Sequence, residues 1–426
     1  MSSPISPSIP TSIVPAIDDA SVVISVAAVS PIQPDLTSVV PTLSWEEAGV
    51  QRTLRWRSER GASPPKTVVI ADDSMSGDNA YRLASEGTGL LWRGDFQNAR
   101  LLLQAMVRRA DKATERKQEK NAKKGLAVPT PLEAFNLHRQ VQAQRARMLG
   151  MLLLEFGPDY TIALRRAPDV RRPCIDAWGK ADGEPTIASL RELLGLVSAN
   201  EWHKKGVEIP ALGEAPDNRI YPRYGVFSPQ RGEYVDLVAS TPLPKMSPSL
   251  AFDIGTGTGV LAAVLAKRGV ESVIATELDK RAMACADENL KKLGLFERVK
   301  VRKADLFPEG QAGLIVCNPP WLPARPSSPI EMAVYDEGSR MLLGFLAGLS
   351  AHLAPRGEGW LILSDFAEHL GLRTRPQLLD AIAAAGLKVL GRIDAQPRHP
   401  KVQDKTDALH VARAAEVTSL WRLGAV

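Results

Sequence analysis

The 426-residue chain holds only three cysteines, no run of eighteen apolar residues and, across its first 44 positions, no lysine or arginine. Each absence removes a class of protein. A helix needs about eighteen or more consecutive apolar residues to cross a bilayer, so no membrane span is expected. Cys174, Cys285 and Cys317 are scattered without metal-ligand spacing, so no metal site is expected either. Cys285 falls in a helical pattern and Cys317 in an apolar strand pattern; core thiols of this kind suit a reducing, cytoplasmic setting. A secretory signal opens on positive charge and a transit peptide is rich in arginine. Residues 1–44 are rich in Ser, Pro, Val and Ile and have neither, so a disordered tail is expected there.

One more absence is local. Residues 252–259 read Phe-Asp-Ile-Gly-Thr-Gly-Thr-Gly, and a dinucleotide fingerprint would place its third glycine five residues after the first. That position is Val260; Gly259 comes one residue early. Asp253 would also repel a pyrophosphate, whereas it suits a ligand carrying an ammonium and a sulfonium, as S-adenosylmethionine does. The surrounding pattern is strand, glycine turn, helix, because Leu250-Ala251-Phe252 is apolar and Val260, Leu261, Val264 and Leu265 recur at helical spacing. Glycines there let the backbone turn sharply and let a ligand approach main-chain N–H groups.

Two further strand ends extend the pattern. Ser272-Val273-Ile274-Ala275-Thr276 is β-branched and apolar and runs into Glu277-Leu278-Asp279. A carboxylate at the tip of a second strand reaches ribose hydroxyls. Residues 299–303 form a third strand pattern that ends in Ala304-Asp305-Leu306-Phe307; Asp305 is placed to accept an adenine amino group, with Leu306 or Phe307 over the ring. The candidate cofactor residues are therefore Asp253, Gly255, Thr256, Gly257, Gly259, Glu277, Asp279, Asp305 and Leu306.

A fourth, wholly apolar strand, Gly313–Cys317, delivers Asn318-Pro319-Pro320-Trp321 to the carboxyl edge of the sheet, where open parallel sheets bind ligands. An amide or exocyclic amino nitrogen is a poor nucleophile because its lone pair is delocalised. The Asn318 side-chain oxygen and a carbonyl at Pro319 can bind its two N–H groups, aim the lone pair at a methyl and favour positive charge developing on nitrogen. The prolines fix φ and add no competing donors. Trp321 offers a face for stacking on a flat acceptor. Asn318, Pro319, Pro320 and Trp321 are the candidate catalytic group.

With these motifs, residues 220–426 resemble the class I S-adenosylmethionine-dependent methyltransferases, and within them the small-methyltransferase group that includes HemK-like glutamine N5-methyltransferases. The same Asn-Pro-Pro-aromatic turn occurs in adenine N6-methyltransferases of DNA and RNA and in some rRNA guanine N2-methyltransferases. The resemblance implies that Asp253, Gly255 and Gly257 contact the methionine end of the cofactor, Glu277 the ribose and Asp305 the adenine, while residues 318–321 hold the acceptor nitrogen. It implies an N-methyltransferase acting on a macromolecule of the translation apparatus, either a protein glutamine or an rRNA base. The alternatives are a DNA adenine methyltransferase and a non-catalytic RNA- or ribosome-binding protein on the same fold. Two departures stand out. Trp321 replaces the Tyr or Phe usual in the turn, and Tyr221–Pro229 resembles the Gly-Val-Phe-Ser segment of rRNA methyltransferases more than a HemK-like lid.

The fold class expected is α/β, a Rossmann-like seven-stranded sheet preceded by a mainly helical substrate-recognition domain over 45–219. Asp95 caps a helical pattern through Phe96, Ala99, Leu102, Leu103 and Met106, and Leu132 to Leu153 suggests a second long helix. Between them the basic residues Arg108, Arg109, Lys112, Arg116, Lys117, Lys120, Lys123 and Lys124 outnumber Asp111, Glu115 and Glu119. Residues 46–245 carry 31 basic against 25 acidic side chains and residues 246–426 carry 22 against 20, which puts the excess in the first part. Residues 100–125 are thus the candidate nucleic-acid or ribosome contact. Beyond the turn, residues 341–353 and 378–385 read as helices, and residues 360–363, 387–393 and 417–423 as closing strands. Arg398, His399, Lys401 and Lys405 fall on a loop between the last two strands.

Overall fold

The computed structural model describes residues 40–124, 128–244, 249–326, 330–398 and 400–426. The expected tail thus lies outside the described residues as far as position 39, and His399 lies outside them too. Thr42–Ser44, assigned to that tail, already belong to the first strand.

Residues 45–219 correct a second expectation. Five helices are present, but they pack on a six-stranded sheet that the reading as mainly helical missed. Its strands are β1 (Thr42–Glu47), β2 (Val50–Trp56), β3 (Thr67–Ala71), β4 (Thr88–Trp92), β5 (Leu152–Phe156) and β6 (Thr186–Ser189), in the order β1-β2-β6-β5-β4-β3. The helices are α1 (Gly77–Ser85), α2 (Phe96–Lys123), α3 (Pro131–Leu149), α4 (Arg171–Trp178) and α5 (Leu190–Lys205). Leu152 and Leu153, expected in the second long helix, stand instead in β5, because α3 ends at Leu149. Thr130 starts α3 with a capping box: its hydroxyl accepts from the Glu133 N–H and the Glu133 carboxylate accepts from the Thr130 N–H. A two-residue pairing of β7 (Val207–Glu208) with β8 (Arg219–Ile220) and helix α6 (Glu233–Ser240) lead into the second sheet.

That sheet has seven strands, β9 (Leu250–Ile254), β10 (Ser272–Glu277), β11 (Val299–Lys303), β12 (Ala312–Cys317), β13 (Leu353–Ser364), β14 (Leu387–Ala395) and β15 (Thr418–Ala425), in the order β11-β10-β9-β12-β13-β15-β14. The first five are parallel, and β15 runs antiparallel to both neighbours. Helices α7 (Val260–Lys267), α8 (Lys280–Lys292), α9 (Arg340–His352) and α11 (Arg375–Ala384) make the crossovers, with the short α10 (Phe366–His369) and α12 (His410–Ala415) at the edge. Helices on both faces require both faces of the central strands to be apolar, and every residue of β12 is buried. Alternation divides them: Ala251, Leu314, Val316, Trp360 and Ile362 join the core under α6 and α7. Phe252, Ile254, Ile315, Cys317, Leu361 and Leu363 join the core under α9 and α11. Strand order reverses between β9 and β12, the place where open α/β sheets bind ligands.

The two sheets' units touch along α3. Phe135, fully buried, packs in one cluster with Leu322, Tyr335, Phe366 and Leu370. Arg139 donates to the Arg325 carbonyl at 2.8 Å and lies 4.7 Å above the Tyr335 ring. Glu59 pairs with Arg281 of α8 at 2.8 Å.

Candidate active site

The glycine turn after β9 uses left-handed backbone at Gly255 (φ 71°), Gly257 (φ 56°) and Gly259 (φ 82°), a region that costs a side-chain-bearing residue energy. Gly259 has a second reason: a Cβ there would come within 3.3 Å of Ala286, so α8 packs directly on the turn. Nothing within 4 Å opposes a Cβ on Gly257, and its N–H is held at 3.1 Å by Glu277 Oε2.

Asp253 lies below this turn, 1% exposed. Its Oδ2 accepts from the Thr256 hydroxyl at 2.6 Å and from the Ala262 N–H at 3.0 Å, tying the strand end to the turn and to α7. Burial pushes its carboxyl up to about 6, against the pull of those two hydrogen bonds. Thr256 in turn donates its N–H to the Thr276 carbonyl at 2.9 Å, joining β9 to β10.

At the tip of β10 the two neighbouring acids have different tasks. Glu277 bridges the turn to its own strand end, with Oε1 accepting from the Leu278 and Asp279 N–H groups at 2.8 and 3.1 Å. Asp279 caps α8 by accepting from the Ala282 N–H at 2.8 Å. At the end of β11, Asp305 is exposed and faces Arg340 at 3.1 Å. Leu306 takes a positive φ of 70° while its carbonyl accepts from the Thr276 hydroxyl at 2.6 Å. Phe307 turns away into α9, stacked on Phe345 at 5.8 Å and on His352 at 4.3 Å between ring centroids.

Register brings the acceptor turn beside the glycine turn. Cys317 pairs with Ile254, so the next residues on the two parallel strands, Asn318 and Gly255, are neighbours at the sheet's carboxyl edge. Asn318 is half-buried, and its Oδ1 accepts from the Trp321 indole N–H at 2.9 Å. Trp321, also half-buried, packs against both cores, one on each side of the sheet.

Sequence reasoning missed the elements that surround these turns. Met341, at the start of α9, reaches over the glycine turn so closely that a Cβ on Gly255 would strike its methyl. Asp336 caps the same helix by accepting from the Met341 and Leu342 N–H groups, and burial raises its carboxyl above the ordinary value. Its own N–H donates to the Leu322 carbonyl at 2.8 Å, tying α9 to the residue after Trp321. The amphipathic pattern from 341 onward marks the helix, but nothing in it singles out Met341. In the upstream segment, Tyr224 packs into the core of the first sheet and Phe227 against Tyr234 of α6, at 6.4 Å.

The glycine turn, the Glu277 carboxylate at the tip of β10 and the exposed Asp305 at the end of β11 thus stand along the carboxyl edge of the sheet. Residues 217–369 match the family model of the methyltransferase small domain. Over 150 residues the chain is 36% identical to the release factor glutamine methyltransferase of Cereibacter sphaeroides, an alignment covering 34% of this chain and 50% of that relative. It is 34% identical over 125 residues to a tRNA1(Val) (adenine(37)-N6)-methyltransferase of Cytophaga hutchinsonii, covering 27% of this chain and 52% of that one. A ribosomal protein L11 methyltransferase of Desulfitobacterium hafniense is 44% identical over 69 residues, covering 16% and 22% respectively. The chain spans about half the length, or less, of these curated relatives.

Proposed function

We propose that this chain, whose residues 217–369 match the family model of the methyltransferase small domain, is an S-adenosylmethionine-dependent N-methyltransferase. Its acceptor is an amide or amino nitrogen of a macromolecule of the translation apparatus. The observation that supports this reading is the adjacency of Asn318 and Gly255 on paired strands, since transfer to an amide nitrogen needs its receptor beside the turn that carries the methyl donor. The cofactor, when bound, supplies an electrophilic methyl. In this reading Glu277 holds the ribose and the glycine turn lies against the amino-acid end. Asn318, with the Pro319 carbonyl, holds the acceptor nitrogen so that its lone pair faces the methyl, and accepts N–H bonds that strengthen as positive charge develops there.

The relatives' names put their acceptors among release factors, tRNA and a ribosomal protein. Between protein and RNA, the second half of α2 favours RNA for this chain. Lys112, Arg116, Lys117, Lys120 and Lys123 are all exposed there, as is Lys124 just past its end. The partner helix α3 packs against the segment after the acceptor turn, which supports reading α2 and α3 together as the acceptor-facing surface. Such substrates place the reaction in the cytoplasm, and no helix among the described residues is long and apolar enough to cross a membrane.

The test is methyl transfer from tritiated S-adenosylmethionine into fractionated lysate, followed by nuclease or protease digestion of the labelled material. Label released by nuclease supports an RNA acceptor, and label released by protease replaces it with a protein. Absence of transfer together with absence of cofactor binding in calorimetry would sink the methyltransferase reading.

A further inference from the structure

The sequence assigns Trp321 a stacking face for the acceptor, and the structure gives it a different occupation. Its ring is packed against both cores, and its N–H ends on Asn318 Oδ1 at 2.9 Å. An indole N–H can only donate, so the Asn318 atom facing it must be the amide oxygen rather than the nitrogen. An amide oxygen has two lone pairs; one is taken by the indole and one is left for an acceptor N–H. Phe or Tyr at this position would offer a smaller aromatic ring and no ring N–H to make this bond. Without it, the amide could turn and present its NH2, a donor that cannot accept from the substrate nitrogen.

We propose that Trp321 is a positioning residue: its indole N–H locks the Asn318 amide in the orientation that receives the acceptor nitrogen. The inference rests on the methyltransferase reading for its catalytic consequence, but not for the hydrogen bond itself. The lock acts through Asn318, so its loss lowers the rate of transfer rather than the binding of either substrate. A neutral hydrogen bond of about 1 kcal/mol corresponds to a roughly five- to tenfold fall in kcat.

Two measurements on the full chain test this separately. In protein with 15N-labelled tryptophan, the Trp321 indole signal is identified by its disappearance in Trp321→Phe. Asn318→Ala should shift that signal and speed its hydrogen exchange; an unmoved signal overturns the lock. In the tritium assay on the labelled lysate fraction, Trp321→Phe should lower kcat by roughly five- to tenfold with the acceptor KM and cofactor affinity little changed. The same substitution should add nothing in an Asn318→Ala background, because the two act as one unit. If Trp321→Phe is silent, or raises only the acceptor KM, the stacking role stands and the lock is wrong. If the wild-type chain transfers no label, the catalytic role falls with the reading it rests on, while the indole spectrum still decides the bond.

Discussion

Asn318 and Asp253 sit on adjacent strands, yet they should respond to substitution in opposite ways. Asn318→Ala should leave cofactor affinity nearly intact and cut methyl transfer by about 10²–10³, the usual cost of losing one preorganised polar partner. Calorimetry beside single-turnover transfer checks this, and near-normal turnover would remove Asn318 from the acceptor site. Asp253 concerns stability. Its folded-state value near 6 lies above the ordinary 3.8, so the folded chain holds that proton more tightly than the unfolded one. Stability should therefore fall as pH rises from about 4 to about 6 and stay lower above that, by on the order of 1–3 kcal/mol. Asp253→Asn keeps an oxygen for Thr256 and Ala262 but removes the charge, so this slope should flatten. Urea unfolding at about pH 4.5 and about pH 7.5 compares them; an unchanged slope would place the titration on another group.

Among the elements, the tip of β10 offers the sharpest contrast. Glu277→Gln should weaken cofactor binding roughly ten- to hundredfold while the fold persists, because a charged hydrogen-bond partner contributes about 1.5–3 kcal/mol. Asp279→Ala should do the reverse, costing about 1 kcal/mol of stability through the lost cap and leaving the dissociation constant almost unchanged. Reversal of these two results would exchange the roles of the acids. The sequence places both carboxylates at this strand end but does not divide the work between them, since that depends on where α8 begins. The central strands of the second sheet were legible because burial on both faces leaves unbroken apolar runs, as in Gly313–Cys317. The first sheet was not. In β1 and β2 only Leu43, Trp45 and Trp56 are buried, and the other face is polar, with Thr42, Ser44, Glu46, Gln51, Thr53 and Arg55. Leu152 and Leu153 of β5 also continue the helical spacing of Met148 and Leu149 just before them, so periodicity alone could not end α3. The bond between Trp321 and Asn318 was equally hidden, because it arises from the turn that two prolines impose rather than from either residue's type.

At the scale of the molecule, the first unit and the acceptor turn share a core. Phe135 of α3 is fully buried among Leu322, Tyr335 and Phe366, so Phe135→Ala should cost about 3–5 kcal/mol. It should also depress transfer more than cofactor binding, because the cluster abuts the segment after Trp321 and not the glycine turn. Thermal unfolding alongside calorimetry and the tritium assay would show this; a lower melting temperature with unaltered transfer would make the contact purely structural.

The pairing of β9 with β12 has a consequence for how such a molecule can change. Donor and acceptor turns leave adjacent strands of one ladder, about 4.8 Å apart in every parallel sheet. The spacing between these two turns is thus set by backbone hydrogen bonds rather than by surface side chains. The segment after Trp321 and the helices α2 and α3 can be exchanged, lengthened or recharged while the spacing of the two turns stays fixed.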